Sequence, residues 1–316
     1  MKIVITDAGT VTNGDLDLSV LSKFGELVTY EVSAECEVAK RIADADIVLC
    51  NKTPITKEAI ESAPHLKYIG LFATGFNNID TIAAKGRGVA VCNAGQYSSM
   101  SVAQHTFAMI LNRASRVADF ANHVENGGWI NGKFRAIFAY PTSELYQKTL
   151  GIVGYGAIGH AVADIARAFG MKVLVFTRTP KEEEGITHTD LDTLLASSDY
   201  VSVHLPLNDA SRNMFDLSAF EKFKKGAYFV NTSRGGVVVE DDLITALDKG
   251  YISGCALDVI VTEPMEDNCK LLHDPRITIT PHTAWTPFET RIRLLETVVK
   301  NIECYLAGRP QNLVNG

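Results

Sequence analysis

Residues 149–178 read TLGIVGYGAIGHAVADIARAFGMKVLVFTR. An apolar run enters a glycine turn, Gly154-Tyr155-Gly156-Ala157-Ile158-Gly159; a helical period follows, and a second apolar run, KVLVF, closes the unit. Strand, turn, helix and strand in that order form a βαβ unit, which belongs in a parallel sheet. Each glycine has a use if the turn holds a phosphate. Gly154 permits the tight turn, Gly156 lets a pyrophosphate reach the backbone, and Gly159 allows the helix to pack closely on the strand. The helix N-terminus adds unpaired N–H groups and a partial positive charge. Chance glycines in an ordinary strand-to-helix turn are the competing explanation, and the flanking strands and helix favour a dinucleotide site over it.

The tip of the second strand raises a narrower question. An Asp or Glu there would grip the ribose hydroxyls of NAD, yet the chain reads Phe176, Thr177, Arg178. Thr177 and Arg178 can donate to a 2′-phosphate, and Arg178 adds charge, so the balance tilts toward NADP(H). Against that tilt, Arg178 and Lys181 also read as solvated loop cations offset by Glu182, Glu183 and Glu184.

Outward from this unit, short apolar runs alternate with helical periods along the chain. The first hundred residues hold KIVIT, LVTYEV, DIVLC, KYIGLFA and GVAVC; later come TLGIVG, KVLVF, YVSVHL, AYFVNT, GCALDV and ITITP. Such alternation predicts an α/β fold with parallel sheets covered by helices on both faces. Residues 101–124 separate the two sets and read as one long amphipathic helix crossing between domains. The last helical period, PFETRIRLLETVVKNIECYLAG, has no obvious partner in the second set and is expected to return to the first. Residues 127–148 fit neither pattern and are read as an arm for a partner subunit.

Bulk properties limit the function classes. With 316 residues, 46% hydrophobic, and a net charge of −7 without Lys/Arg runs, the chain has the material for two globular domains and none of the basic tracts that follow nucleic acid or an anionic membrane. Six cysteines lie scattered, with no CxxC or Cys/His ligand cluster, so no metal is expected and reduced core thiols in a cytoplasmic protein are. KIVIT at the start leaves no room for a signal peptide, and no apolar stretch has the ~18 residues a membrane span needs.

Ionisable residues follow three later strands, on the side where open α/β sheets bind ligands. AYFVNTSRGG carries Arg234, GCALDVIVTEP carries Asp258 and Glu263, and ITITPHTAW carries His282. Arg suits a planar carboxylate, His exchanges a proton near neutral pH, and a neighbouring Glu orients the imidazole and favours its charged form. A lone residue of this kind would be read as a cap or a satisfied surface group. Three strand ends beside one dinucleotide turn supply what reduction of a 2-keto acid requires.

The ordered set GYGAIG, HLPL, NTSRGG, ALDVIVTEP and TPHTAW, with GFNNID and VAQHTFA before it, resembles the D-isomer-specific 2-hydroxyacid dehydrogenase family. NKTPIT, TGFNNID and VAQHTFA are most similar to its glycerate dehydrogenase (hydroxypyruvate reductase) branch. The resemblance implies two doubly wound parallel-sheet domains: a Rossmann NAD(P)-binding domain, residues 98–286, inserted into a flavodoxin-like substrate domain, residues 1–97 and 287–316. It implies that Arg234 binds the substrate carboxylate and carbonyl, that His282 donates or accepts the proton, and that Glu263 partners His282. Backbone N–H groups around Thr74 and Gly75 would hold the carboxylate from the other side, and Lys52 either reaches the substrate or is a solvated loop lysine. Cofactor contacts fall to residues 154–159, Thr177, Arg178, His204, Pro206, Thr232, Val102 and Asp258, the last at the nicotinamide carboxamide. Closure of the two domains over a small 2-keto or 2-hydroxy acid, and a homodimer with Trp129 of the arm as an anchor, are also implied. Hydroxypyruvate or glyoxylate is the favoured substrate. D-lactate or phosphite oxidation, and a dinucleotide-sensing corepressor-like binding protein, are the alternatives; formate oxidation is disfavoured because that branch places Gln where Glu263 stands.

Overall fold

Every pairing between the named strands is parallel, and the strands form two separate sheets. The computed structural model describes all 316 residues, which divide into one unit of residues 1–98 with 286–316 and a second of residues 99–285. The α/β architecture with two parallel sheets is therefore as the sequence pattern predicts.

The first unit begins with β1 (Lys2–Ile5), β2 (Glu26–Thr29), α1 (Glu35–Ile42), β3 (Ile47–Cys50), α2 (Lys57–Glu61), β4 (Tyr68–Leu71), α3 (Thr81–Gly86) and β5 (Ala90–Cys92). Its sheet has the order β2-β1-β3-β4-β5. Thr56 and Asp80 cap α2 and α3 by accepting from the N–H of Ala59 and Ala83, the usual use of these residue types ahead of a helix.

In the second unit, α4 (Ser99–Ser115), α5 (Val117–Glu125) and α6 (Gly128–Gly132) precede β6 (Thr149–Val153), α7 (Ala157–Ala168), β7 (Lys172–Phe176), β8 (Ile186–His188), α8 (Leu191–Ser197) and β9 (Tyr200–Val203). Then come α9 (Leu217–Phe220), β10 (Ala227–Asn231), α10 (Glu240–Asp248), β11 (Ile252–Leu257) and β12 (Ile277–Ile279). The order β12-β11-β10-β9-β6-β7-β8 reverses direction at β6, so the glycine turn leaves the sheet at its topological switch point. Alternation along β10 feeds both faces: Phe229 joins a core with Phe215, Phe220 and Leu257, while Val230 joins one with Phe107, Ile152 and Val162. No helix is long and apolar enough to cross a membrane.

The chain then returns to the first unit with α11 (Phe288–Leu306). Tyr305 packs on Tyr68 of β4 with ring centroids 4.9 Å apart, and the Asn301 amide donates to the Asn93 carbonyl at 2.8 Å. Residues 312–315 run along β5: Leu313 bridges Cys92 in the antiparallel sense, Val314 N donates to Val91 O, and the Asn315 side chain bonds both Val89 O and Val91 N.

Two local readings are corrected. The single helix expected over 101–124 is broken at Arg116, which sits in the left-handed region (φ 52°) between α4 and α5. The Arg116 guanidinium donates to Asp119 at 2.6 Å and lies 5.1 Å from the Tyr140 ring. Strand β8 lies just past the charged residues 178–184 and is not among the apolar runs read as strands; it forms where β7 offers it an open edge. Residues 127–148, read as an arm, contain α6 and a 3₁₀ turn, Lys133–Phe138.

Candidate active site

At the end of β6, Gly154 turns with φ 99°, and a Cβ there would meet the His204 carbonyl oxygen at 2.6 Å. A Cβ on Gly159 would run into the carbonyl of Gly154, which is the close helix–strand packing expected of the third glycine. Gly156 differs: nothing lies within 4 Å of where its Cβ would stand. It precedes α7, whose first N–H groups have no partner within the helix, so open space and free donors coincide. The turn therefore fits the phosphates of a dinucleotide, which the backbone N–H groups of Gly156, Ala157 and Ile158 would hold.

Next to the turn, His204 N donates to Val153 O at 2.8 Å, and its Nε2 lies 2.9 Å from Ser202 Oγ. The residue is partly exposed, but its Nδ1 is buried without a partner, and burial pushes the imidazole pKa down to about 3. The ring is neutral at physiological pH. Pro206 accepts a bond from Ser211 Oγ at 2.6 Å. Val102 and Thr232 are joined through Thr106, whose Oγ1 donates to Val102 O (2.8 Å) and lies 3.0 Å from Thr232 Oγ1. Thr177 is half-buried and Arg178 exposed beyond β7.

The strand-end residues of β10, β11 and β12 meet through loops. His282 Nδ1 lies 2.6 Å from Glu263 Oε2, and Glu263 Oε1 accepts from Ile260 N at 3.2 Å, so the carboxylate is itself held. His282 has left-handed backbone (φ 55°), kept by bonds from its N–H to Asp258 O (2.8 Å) and Thr280 O (2.9 Å). Arg234 ends the β10 segment half-buried, with its carbonyl accepting from the Asn231 amide (2.9 Å). A Cβ on Gly235, the next residue, would collide with the Ile260 backbone, so the Arg234 and Ile260–Glu263 loops pass in close contact.

Asp258 is 1% exposed. One carboxylate oxygen accepts from Thr280 Oγ1 (2.6 Å) and Thr283 N (2.8 Å), the other from Ala284 N (3.0 Å), and His105 Nε2 is 3.4 Å away. Burial alone would raise its pKa; His105, Thr280 and the two backbone donors outweigh burial and hold it below the ordinary carboxylate value. His105, which also lies 3.0 Å from Thr280 Oγ1, is a site residue that the motif VAQHTFA contains but whose partner the sequence does not name.

Lys52, Thr74 and Gly75 belong to the first unit and Arg234, Glu263 and His282 to the second. Thr74 Oγ1 donates to Gly95 O at 2.6 Å and its carbonyl accepts from the Asn93 amide at 2.7 Å. The Lys52 loop is organised by Asp7, whose buried carboxylate receives the N–H groups of Asn51 (2.9 Å), Lys52 (2.6 Å) and Thr53 (2.8 Å). Asp7 escaped the sequence reading, although an acid directly after an apolar strand was the available signal.

The D-isomer-specific 2-hydroxyacid dehydrogenase NAD-binding domain matches residues 107–284. The chain is 39% identical to hydroxypyruvate reductase of Blautia hydrogenotrophica over 321 aligned residues, covering 100% of both chains. It is 37% identical to glycerate dehydrogenase of Methylorubrum extorquens over 281 residues, 88% of each. Among solved structures it is similar to an acyclic imino acid reductase in complex with NADPH and D-Arg, with TM-score 0.89 and 29% identity over 99% of this chain and 100% of that one. Identity of this order along the whole length carries the assignment: the chain belongs to the D-isomer-specific 2-hydroxyacid dehydrogenase family, is an NAD(P)-dependent oxidoreductase, and within the family stands with the glycerate dehydrogenases and hydroxypyruvate reductases.

Proposed function

We propose that the protein reduces hydroxypyruvate or glyoxylate reversibly to D-glycerate or glycolate. The observation that carries this reading is the 2.6 Å contact between His282 Nδ1 and Glu263. A carboxylate on Nδ1 fixes the orientation and tautomer of the ring and leaves Nε2 to exchange a proton with the substrate. Arg234 binds the substrate carboxylate and its 2-oxygen through the planar fork of the guanidinium.

When bound, the nicotinamide dinucleotide gives or takes hydride at the substrate's 2-carbon. In the reducing direction His282 passes its Nε2 proton to the 2-oxygen as negative charge grows there, and Arg234 stabilises that charge. Residues 154–159, Thr177, Arg178, His204, Pro206, Thr232, Val102 and Asp258 form the proposed dinucleotide site, in a domain of residues 98–286. Thr177 and Arg178 favour acceptance of NADPH, in keeping with the NADPH held by the imino acid reductase. Lys52, Thr74 and Gly75 belong to the proposed substrate domain, residues 1–97 and 287–316. The names of the relatives, hydroxypyruvate reductase and glycerate dehydrogenase, support the substrate choice. A homodimer in the cytoplasm completes the reading, supported by the exposed apolar arm and by six unpaired cysteines.

The test is initial rates with glyoxylate, hydroxypyruvate and pyruvate, each against NADH and NADPH, for wild type and His282→Ala. Loss of a general acid is expected to lower turnover by roughly 10²- to 10⁴-fold with cofactor binding intact. Unchanged turnover in the variant sinks the assignment of His282, and a wild type that binds the dinucleotide but turns over none of the acids sinks the substrate reading.

A further inference from the structure

The tip of β7 carries no acid, but a carboxylate from further along the chain is held beside the glycine turn. Residues 178–185 fold back toward the start of α7, and Glu183 Oε2 accepts a hydrogen bond from the Tyr155 hydroxyl at 2.9 Å. The same carboxylate lies 3.8 Å from His160 Nε2. Tyr155 stands between the first two glycines of the turn, and its ring stacks on His160 with centroids 3.7 Å apart and planes 26° from parallel. His160 Nδ1 in turn lies 2.9 Å from the Gly156 carbonyl. The far side of the loop is tied by His188 Nε2, 2.7 Å from Lys181 O, and by Gly185 (φ 78°), which turns against the Arg167 side chain. Burial and the Glu183 carboxylate raise the Tyr155 pKa, so its hydroxyl stays protonated and remains a donor.

This arrangement fixes one carboxylate beside the crevice between the ends of β6 and β7, the corner where a doubly wound sheet places the adenosine ribose. Arg178 is exposed at the same strand tip. We propose that Glu183, held by Tyr155, is a selectivity residue of the dinucleotide site: it opposes a 2′-phosphate and accepts from ribose hydroxyls, working against Arg178 so that neither NADH nor NADPH is strongly excluded. The inference rests on the reading of residues 154–159 as the phosphate-binding turn. It differs from an Asp at the strand tip in one respect, because the position of the carboxylate depends on a hydrogen bond from a tyrosine of the turn itself.

The test measures binding of 2′,5′-ADP and of 5′-ADP to the protein by calorimetry, without substrate or turnover. Glu183→Gln is expected to strengthen 2′,5′-ADP about fivefold, the factor associated with one pair of unit charges ~4 Å apart in water, while 5′-ADP stays within about twofold or weakens. Tyr155→Phe, which releases Glu183, shifts the ratio in the same direction by less, and Arg178→Ala shifts it in the opposite direction. The Glu183 side chain is 35% exposed, so the effect is expected to shrink in high salt. Binding by the wild type with a ratio unchanged in Glu183→Gln overturns the role of Glu183 alone. Failure of both fragments to bind the wild type overturns the phosphate-binding turn and this proposal with it.

Discussion

Asp258 shows how much of the proposed catalytic geometry rests on one carboxylate that was legible in the sequence for a different reason. Its position after an apolar strand marks it as a site residue, but its donors are Thr280, the N–H groups of Thr283 and Ala284, and a helical histidine. Backbone donors carry no sequence signature, because any residue has an N–H; only the path of the loop brings them to the acid. The Glu263–His282 pair was readable because both partners are ionisable and both follow strands of one sheet. Asp258→Ala is expected to lower stability by about 3 kcal/mol, since three donors and His105 lose a buried partner, and to lower turnover as the His282 loop relaxes. Urea denaturation and steady-state rates on the same preparation check both. His204 adds a pH dependence. Its folded pKa, about 3, lies below the ordinary histidine value, so the unfolded chain binds the proton first and stability falls as pH drops from about 6.5 toward 3. The slope from this group is at most about 1.4 kcal/mol per pH unit, and His204→Gln is expected to flatten the measured curve over that range.

At the scale of the element, the turn from β6 into α7 separates what the fold needs from what the ligand needs. Gly159 faces a carbonyl and Gly156 faces open space. Gly156 has φ −87°, which alanine adopts without strain. Gly156→Ala is therefore expected to leave the melting temperature within a degree or two and to weaken dinucleotide binding by about tenfold or more, while Gly159→Ala lowers the melting temperature itself. Equal melting temperatures for the two variants would contradict this division. The same turn was the most legible element in the chain because each glycine answers a distinct steric demand. Other elements were less so: Arg116 ends α4 in the left-handed region although nothing in SVAQHTFAMILNRASRVADFANHV breaks the helical period, and its contact with the Tyr140 ring, over twenty residues away, leaves no mark in that stretch. Strand β8 was missed because three residues carry too little period to register, and an existing edge supplies what propensity does not.

For the whole molecule, two parallel sheets follow from the alternation of apolar runs and helical periods, and the unplaced part was the arm. Ile130, Phe134 and Phe138 are 81%, 89% and 82% exposed, with Val117, Trp129 and Ile137 exposed beside them in sequence. Apolar exposure of that extent on a short segment is what the proposed pairing through this arm would cover. Two phenylalanines of this arm changed together, Phe134→Ser and Phe138→Ser, are expected to convert a dimer to a monomer in sedimentation velocity with the near-ultraviolet circular dichroism of the second unit preserved. A wild type that sediments as a monomer would refute the pairing outright. Sequence alone marked the segment as unlike the rest but not its exposure, since exposure is a property of what fails to cover a side chain. The strand of residues 312–315 along β5 has its own consequence in time. The 187 contiguous residues of the second unit, 99–285, leave the ribosome with all their partners present, whereas the first sheet waits with β5 uncovered until residues 312–315 are made. The first unit is thus closed only after the second has been made, and its β5 edge stays open through the synthesis of the whole dinucleotide-binding unit until residues 312–315 cover it.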